Sequence, residues 1–161
     1  MSITSLDTDL DNLTLTLVAD FDAPVERVWE LWADPRKLER WWGPPSHPAT
    51  FEEHDLSVGA RSRYYMTGPE GDRHGGWWQI EAVDPPTSLE LSDGFLDSDG
   101  NPTNELHNTR MAMQLTEHDG GTRMTMRSTF ASREQMQELT EMGMVEGLRQ
   151  AVGQMDALVA D

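Results

Sequence analysis

The stretch Ser132–Val159, SREQMQELTEMGMVEGLRQAVGQMDALV, decides how the rest of the chain is read. It is the long run that keeps a helical apolar stripe without a proline. Met136, Leu139, Gly143, Gly147, Ala151, Met155 and Leu158 recur three or four apart, with Met144, Leu148 and Val152 beside them. Ser132 followed by Gln135 has the form of a capping box, so one helix is expected over 132–159. Gly143, Gly147 and Ala151 make the middle of the stripe small. Each glycine costs a helix about 1 kcal/mol relative to alanine, so two on one face need a reason. Either a strand approaches closely, or the helix is one wall of a cavity.

Upstream, the pattern is that of strands. Leu13, Leu15, Leu17, Ala19 and Phe21 alternate with polar residues. Pro24 and Pro35 open two short helical segments, the first with Val25, Val28, Trp29 and Trp32 on one face, the second running through Leu38 to Trp42. Six further strands are expected, at 49–54, 60–67, 74–83, 88–95, 105–117 and 122–130. The sequence His118-Asp-Gly-Gly121 between the last two is a strong hairpin signal. Consecutive hairpin connections make a curved antiparallel sheet of seven strands, which buries one face on the final helix. The fold class is therefore α+β. Residues 1–12 read as a flexible tail, and 13–161 as a single domain.

The chain has 161 residues, 29 of them acidic and 12 basic, for a formal charge of −17. Phosphates are repelled by such a surface, which argues against nucleic acid and anionic membranes as partners. There is no cysteine, hence no disulfide and no thiolate chemistry. No eighteen-residue apolar run and no secretory leader pattern is present, so a cytoplasmic location is expected, without membrane insertion.

An ordered set of short words gives a resemblance. They are Phe21-Asp-Ala-Pro-Val25, Trp32-Ala-Asp-Pro35, Arg40-Trp-Trp-Gly-Pro44, Asp55-Leu-Ser-Val-Gly59, Val83-Asp-Pro-Pro86, Asp99-Gly-Asn-Pro102, Gly120-Gly-Thr-Arg123 and Glu146-Gly147. Together they resemble the START-like, helix-grip (SRPBCC) superfamily, and within it the branch of activator of heat-shock-protein-90 ATPase homologues. The resemblance implies a sheet gripping the C-terminal helix, with a hydrophobic cavity between. Three positions depart from the branch. Ala19 stands where arginine is frequent, Ala82 where glutamate is frequent and Leu148 where tryptophan is frequent. The first two changes are expected to make the cavity more apolar.

Candidate ligand-binding residues are Tyr64, Met66, Trp78, Ile80, Phe95, Met111, Met113 and Met126 from the strands, Met144 and Leu148 beside the final stripe, and Trp41 and Trp42, which end the second short helix where the resemblance implies the cavity mouth. Tryptophans supply rigid apolar area, and methionines adapt to irregular ligands. The same residues also suit plain core packing. Trp78 is expected to face inward and Trp77 outward or at an edge. His107 shares the parity of Met111 and is the weak candidate for a catalytic acid or base, although a strand histidine is commonly structural. No metal-ligand spacing, phosphate loop or nucleophile elbow is present, so neither metal nor cofactor is expected. The expected function is non-enzymatic binding of a small apolar molecule. A role as a chaperone-activator-like protein partner, and a small cyclase- or hydrolase-like enzyme, stand as alternatives, and a homodimer stays open.

Overall fold

The computed structural model describes residues 3–97, 99–101 and 109–159. Eight antiparallel strands form one sheet. They are β1 (Ile3–Asp9), β2 (Thr14–Phe21), β3 (Ala49–Glu53), β4 (Arg61–Thr67), β5 (Arg73–Asp84), β6 (Ser88–Phe95), β7 (Thr109–His118) and β8 (Gly121–Thr129). Their order is β1-β2-β8-β7-β6-β5-β4-β3. The helices α1 (Val25–Ala33) and α2 (Pro35–Leu38) carry the chain from β2 to the far edge at β3. The helices α3 (Arg133–Glu141), α4 (Met144–Gly153) and α5 (Met155–Val159) follow β8.

The eighth strand corrects the expected N-terminal tail. β1 pairs with β2 from Asp9↔Thr14 to Ile3↔Ala19, and Ile3 and Leu6 pack on the core. The pairing is turned by Asp9, whose Oδ1 accepts from the backbone N–H groups of Asp11 and Asn12 at 3.0 and 3.1 Å. A register shift between Ile3 and Ser5 breaks the period of two, which is why no strand was expected there.

Within the sheet, parity places the core. Leu15, Leu17, Ala19 and Phe21 face inward from β2, and Met111, Met113 and Leu115 from β7. β5 is different at one point. A register shift between Ile80 and Ala82 pairs Ala82 with the exposed Glu90 and Val83 with the buried Leu89. Ala82 is therefore turned away from the inner face, contrary to expectation, and does not make the cavity more apolar. Ala19 is fully buried on the inner face as expected.

The single C-terminal helix is also corrected. Ser132 caps α3 as anticipated, its hydroxyl accepting from the Gln135 N–H at 3.0 Å. The helix then stops, because Gly143 adopts φ +93° and its N–H bonds back to the Thr140 carbonyl at 3.0 Å. Glycine accepts this left-handed conformation without strain. A second, milder break falls at Gln154, whose Nε2 donates to the Gly43 carbonyl at 2.7 Å and the Trp41 carbonyl at 3.3 Å. That side chain ties the end of α4 to the turn that follows α2.

Candidate functional site

α3, the Gly143 break and α4 form one wall of a cavity of about 350 Å³, and the sheet forms the other. Its volume lies at the small end of the roughly 300–1,000 Å³ usual for small-molecule pockets. β2, β8 and β7 contribute Leu15, Met126, Ser128, Thr109 and Met111. β6 contributes Asp93, Gly94 and Phe95, and β4 contributes Tyr64 and Met66. Leu139, Met142, Gly143, Met144, Gly147, Leu148 and Ala151 come from the helical wall, and Trp42 and Pro44 from the turn after α2.

Eight of the expected ligand-binding residues therefore line it: Trp42, Tyr64, Met66, Phe95, Met111, Met126, Met144 and Leu148. Trp41, Trp78, Ile80 and Met113 do not. They are buried in the core; Trp41 thereby departs from its expected place at the cavity mouth, whereas Trp78 faces inward as expected. His107 lies outside the described residues.

The stripe of small residues is settled by what stands next to it. A β-carbon built at Gly147, or at Gly143, would meet nothing within 4 Å. Of the two explanations, close approach of a strand is excluded and the cavity wall remains. Gly147→Leu should then fill space rather than overpack, and it removes a helix glycine worth about 1 kcal/mol. Urea melts are expected to show no loss of stability. A loss of about 1–3 kcal/mol, the usual result of overpacking, would mean that the wall closes.

Behind the cavity lies a box of rings. Trp42 and Trp78 meet edge to face at 4.8 Å, Trp32 and Trp41 at 4.8 Å, and Phe51 stacks on Tyr64 at 4.8 Å. His54 closes the box, its ring 5.6 Å from Trp78. His54 Nε2 lies 2.7 Å from the Trp32 carbonyl and Nδ1 lies 2.7 Å from the Ser62 hydroxyl. The carbonyl can only accept, so the proton sits on Nε2 and Nδ1 accepts from Ser62. Burial, the dominant influence, holds the imidazole below its ordinary pKa and keeps it neutral. This histidine is structural. Trp77, by contrast, is turned to the outer face yet covered, with the Arg61 guanidinium 5.7 Å over its ring.

Asp93 is the group that reading the sequence missed. It follows Leu89 and Leu91 on the inner face of β6, opposite Trp78 on β5 and Thr109 on β7. The surface it retains lies on the cavity wall. Burial alone pushes its carboxyl up to about 7. The Tyr64 phenol is raised as well, first by burial and then by the Asp93 charge. Among the described residues, no group of three or more histidines and carboxylates is arranged to hold a metal.

A family model described as Activator of Hsp90 ATPase homolog 1-like protein matches residues 22–160. The chain belongs to that family. The assignment places it in the START-like superfamily, whose helix-grip architecture is the one described above. A solution NMR structure of a protein from Arthrobacter aurescens is similar over 99% of this chain and 92% of its own, with 50% identity and a TM-score of 0.95. A crystal structure of a protein from Mycobacterium smegmatis shares 51% identity over 98% of this chain and 96% of its own, with a TM-score of 0.90. A protein from Rhodobacter sphaeroides, 22% identical over 97% of each chain with a TM-score of 0.83, shares the fold. Among curated proteins no match to the chain is found. None of the helices among the described residues is long and apolar enough to cross a membrane.

Proposed function

We propose that this family member binds a small, largely apolar molecule in the helix–sheet cavity and is not itself a catalyst. The observation that carries the reading is the cavity wall. Glycine, alanine, leucine and five methionines surround a space that no side chain of the described residues fills. Methionine walls adapt to varied shapes, and burial of apolar area contributes about 25 cal/mol per Å². The polar groups on the wall, Tyr64, Asp93, Thr109 and Ser128, include no nucleophile hydrogen-bonded to a base. That favours binding over hydrolysis or cyclisation. The large apolar side chains left most exposed are Leu10, Val58, Phe95 and Met142. Two of them, Phe95 and Met142, belong to the cavity rather than to a separate docking face, which favours the cavity over a protein-partner role.

Affinity should be modest, in the micromolar range of about 8 kcal/mol. Trp42 is the tryptophan on the wall, so it, and not Trp78, should report occupancy. Titration with aromatic and aliphatic compounds is expected to change tryptophan fluorescence and raise the melting temperature. Trp42→Phe should remove most of the fluorescence change while the thermal shift persists. A polar metabolite that raises the melting temperature when no apolar compound does would overturn the reading and bring the enzymatic alternative forward.

A further inference from the structure

The identity of the ligand's polar end can be taken further, on the footing that the cavity is a binding site. Asp93 is the carboxylate on the cavity wall, and no arginine, lysine or histidine among the described residues lines the cavity with it. Among the described residues the neighbouring elements supply no counter-charge. Trp78 stands opposite on β5 and Thr109 on β7. β4 presents Tyr64, the other titratable group of the lining. α4 presents Met144, Gly147, Leu148 and Ala151, and the turn after α2 presents Trp42 and Pro44. Burial is the influence on its ionisation, with neither a hydrogen bond nor a nearby cation to offset it. An acid set among methionines without a partner is costly. The cost is relieved when a ligand brings the missing positive charge.

We propose that Asp93, sharing the cavity with the Tyr64 hydroxyl, is a head-group site for a protonated amine, so that the ligand is an amphiphilic amine. Its apolar body lies on the methionine and glycine wall, and its ammonium donates to the Asp93 carboxylate. A charge-assisted hydrogen bond of this kind is stronger than one to a neutral hydroxyl, and it strengthens further where water is scarce. A ligand carboxylate would instead face a like charge. The net charge of −17 adds a field that draws cations and repels anions.

The test is a matched series with one body and three heads: octylamine, octanol and octanoate, measured by calorimetry at pH 6 and pH 8. At pH 8 octylamine should bind about tenfold or more tighter than octanol, with octanoate weakest. Octylamine affinity should rise by up to about tenfold from pH 6 to pH 8 as Asp93 loses its proton, while octanol stays flat. Asp93→Asn should abolish both the preference for the amine over octanol and its pH dependence, whereas Asp93→Glu should keep part of the preference. The pH comparison on the unaltered protein needs no variant to fold. Equal binding of amine and alcohol, or an amine preference that survives Asp93→Asn, overturns the head-group assignment and leaves the apolar cavity standing. Failure of all three compounds to bind overturns the cavity reading as well.

Discussion

Trp78→Ala is expected to destabilise the protein by about 3–5 kcal/mol, the usual cost of deleting a buried large aromatic, and to abolish the near-ultraviolet circular dichroism of the ring box. Trp78 is fully buried. It touches Trp32, Trp42, Phe51, His54 and Tyr64, with ring centroids 4.8–6.4 Å away. Aromatic pairs add about 0.5–1.5 kcal/mol beyond the area they bury. Removal of this one ring therefore costs several pairs at once, and it leaves a void beside His54, whose two hydrogen bonds fix the Trp32 carbonyl and Ser62. Because Trp42 and Tyr64 are both cavity residues and both lean on Trp78, ligand affinity should fall together with stability. Chemical denaturation and a ligand titration measure the two effects. A loss below about 1 kcal/mol would mean that the box does not hold the cavity wall in place.

How much of this was legible in the residues alone depended on whether a periodic pattern ran unbroken. The alternation in β2, β7 and β8 placed Leu17, Met111 and Met126 on the inner face, as found. The Asp119–Gly120 hairpin turned as expected, both residues taking positive φ. Where the period slipped, the reading failed. A shift near Ile3 concealed β1, and a shift after Ile80 reversed Ala82. Periodicity also made one helix of three, because a stripe of side chains is indifferent to one glycine at positive φ. The site itself was legible in its apolar half. Asp93 was passed over although the parity that set Phe95 inward sets Asp93 inward too: an acid is presumed solvated unless its neighbours on the same face are examined. The covering of the outward Trp77 depends on Arg61, a cross-strand neighbour that no local pattern identifies.

Asp93→Asn is expected to stabilise the ligand-free protein, and to do so increasingly as pH rises. The carboxyl is pushed from an ordinary 3.8 to about 7 in the folded chain. Between those values the folded state holds a proton that the unfolded state has released, so the stability of the parent protein falls as pH rises from about 4 to 7 and is lowest above 7. At roughly 1.4 kcal/mol per pH unit the full shift corresponds to about 4 kcal/mol. Water reaching the carboxyl through the cavity lessens this, and about 1–3 kcal/mol at pH 8 is expected. Near pH 4 the protonated acid and the amide are alike, and the two proteins should melt within about 0.5 kcal/mol of each other. The other 28 acids and His54 are common to both proteins, and their contributions cancel in the difference. Urea melts of the pair at pH 4.5, 6 and 8 provide the test. A difference that does not change with pH would show that Asp93 is solvated, and an asparagine variant less stable at pH 8 would show that the carboxylate has a partner. A gain in stability at pH 8, beside a loss of amine binding, would mark Asp93 as a group the fold tolerates for what it holds rather than for what it stabilises.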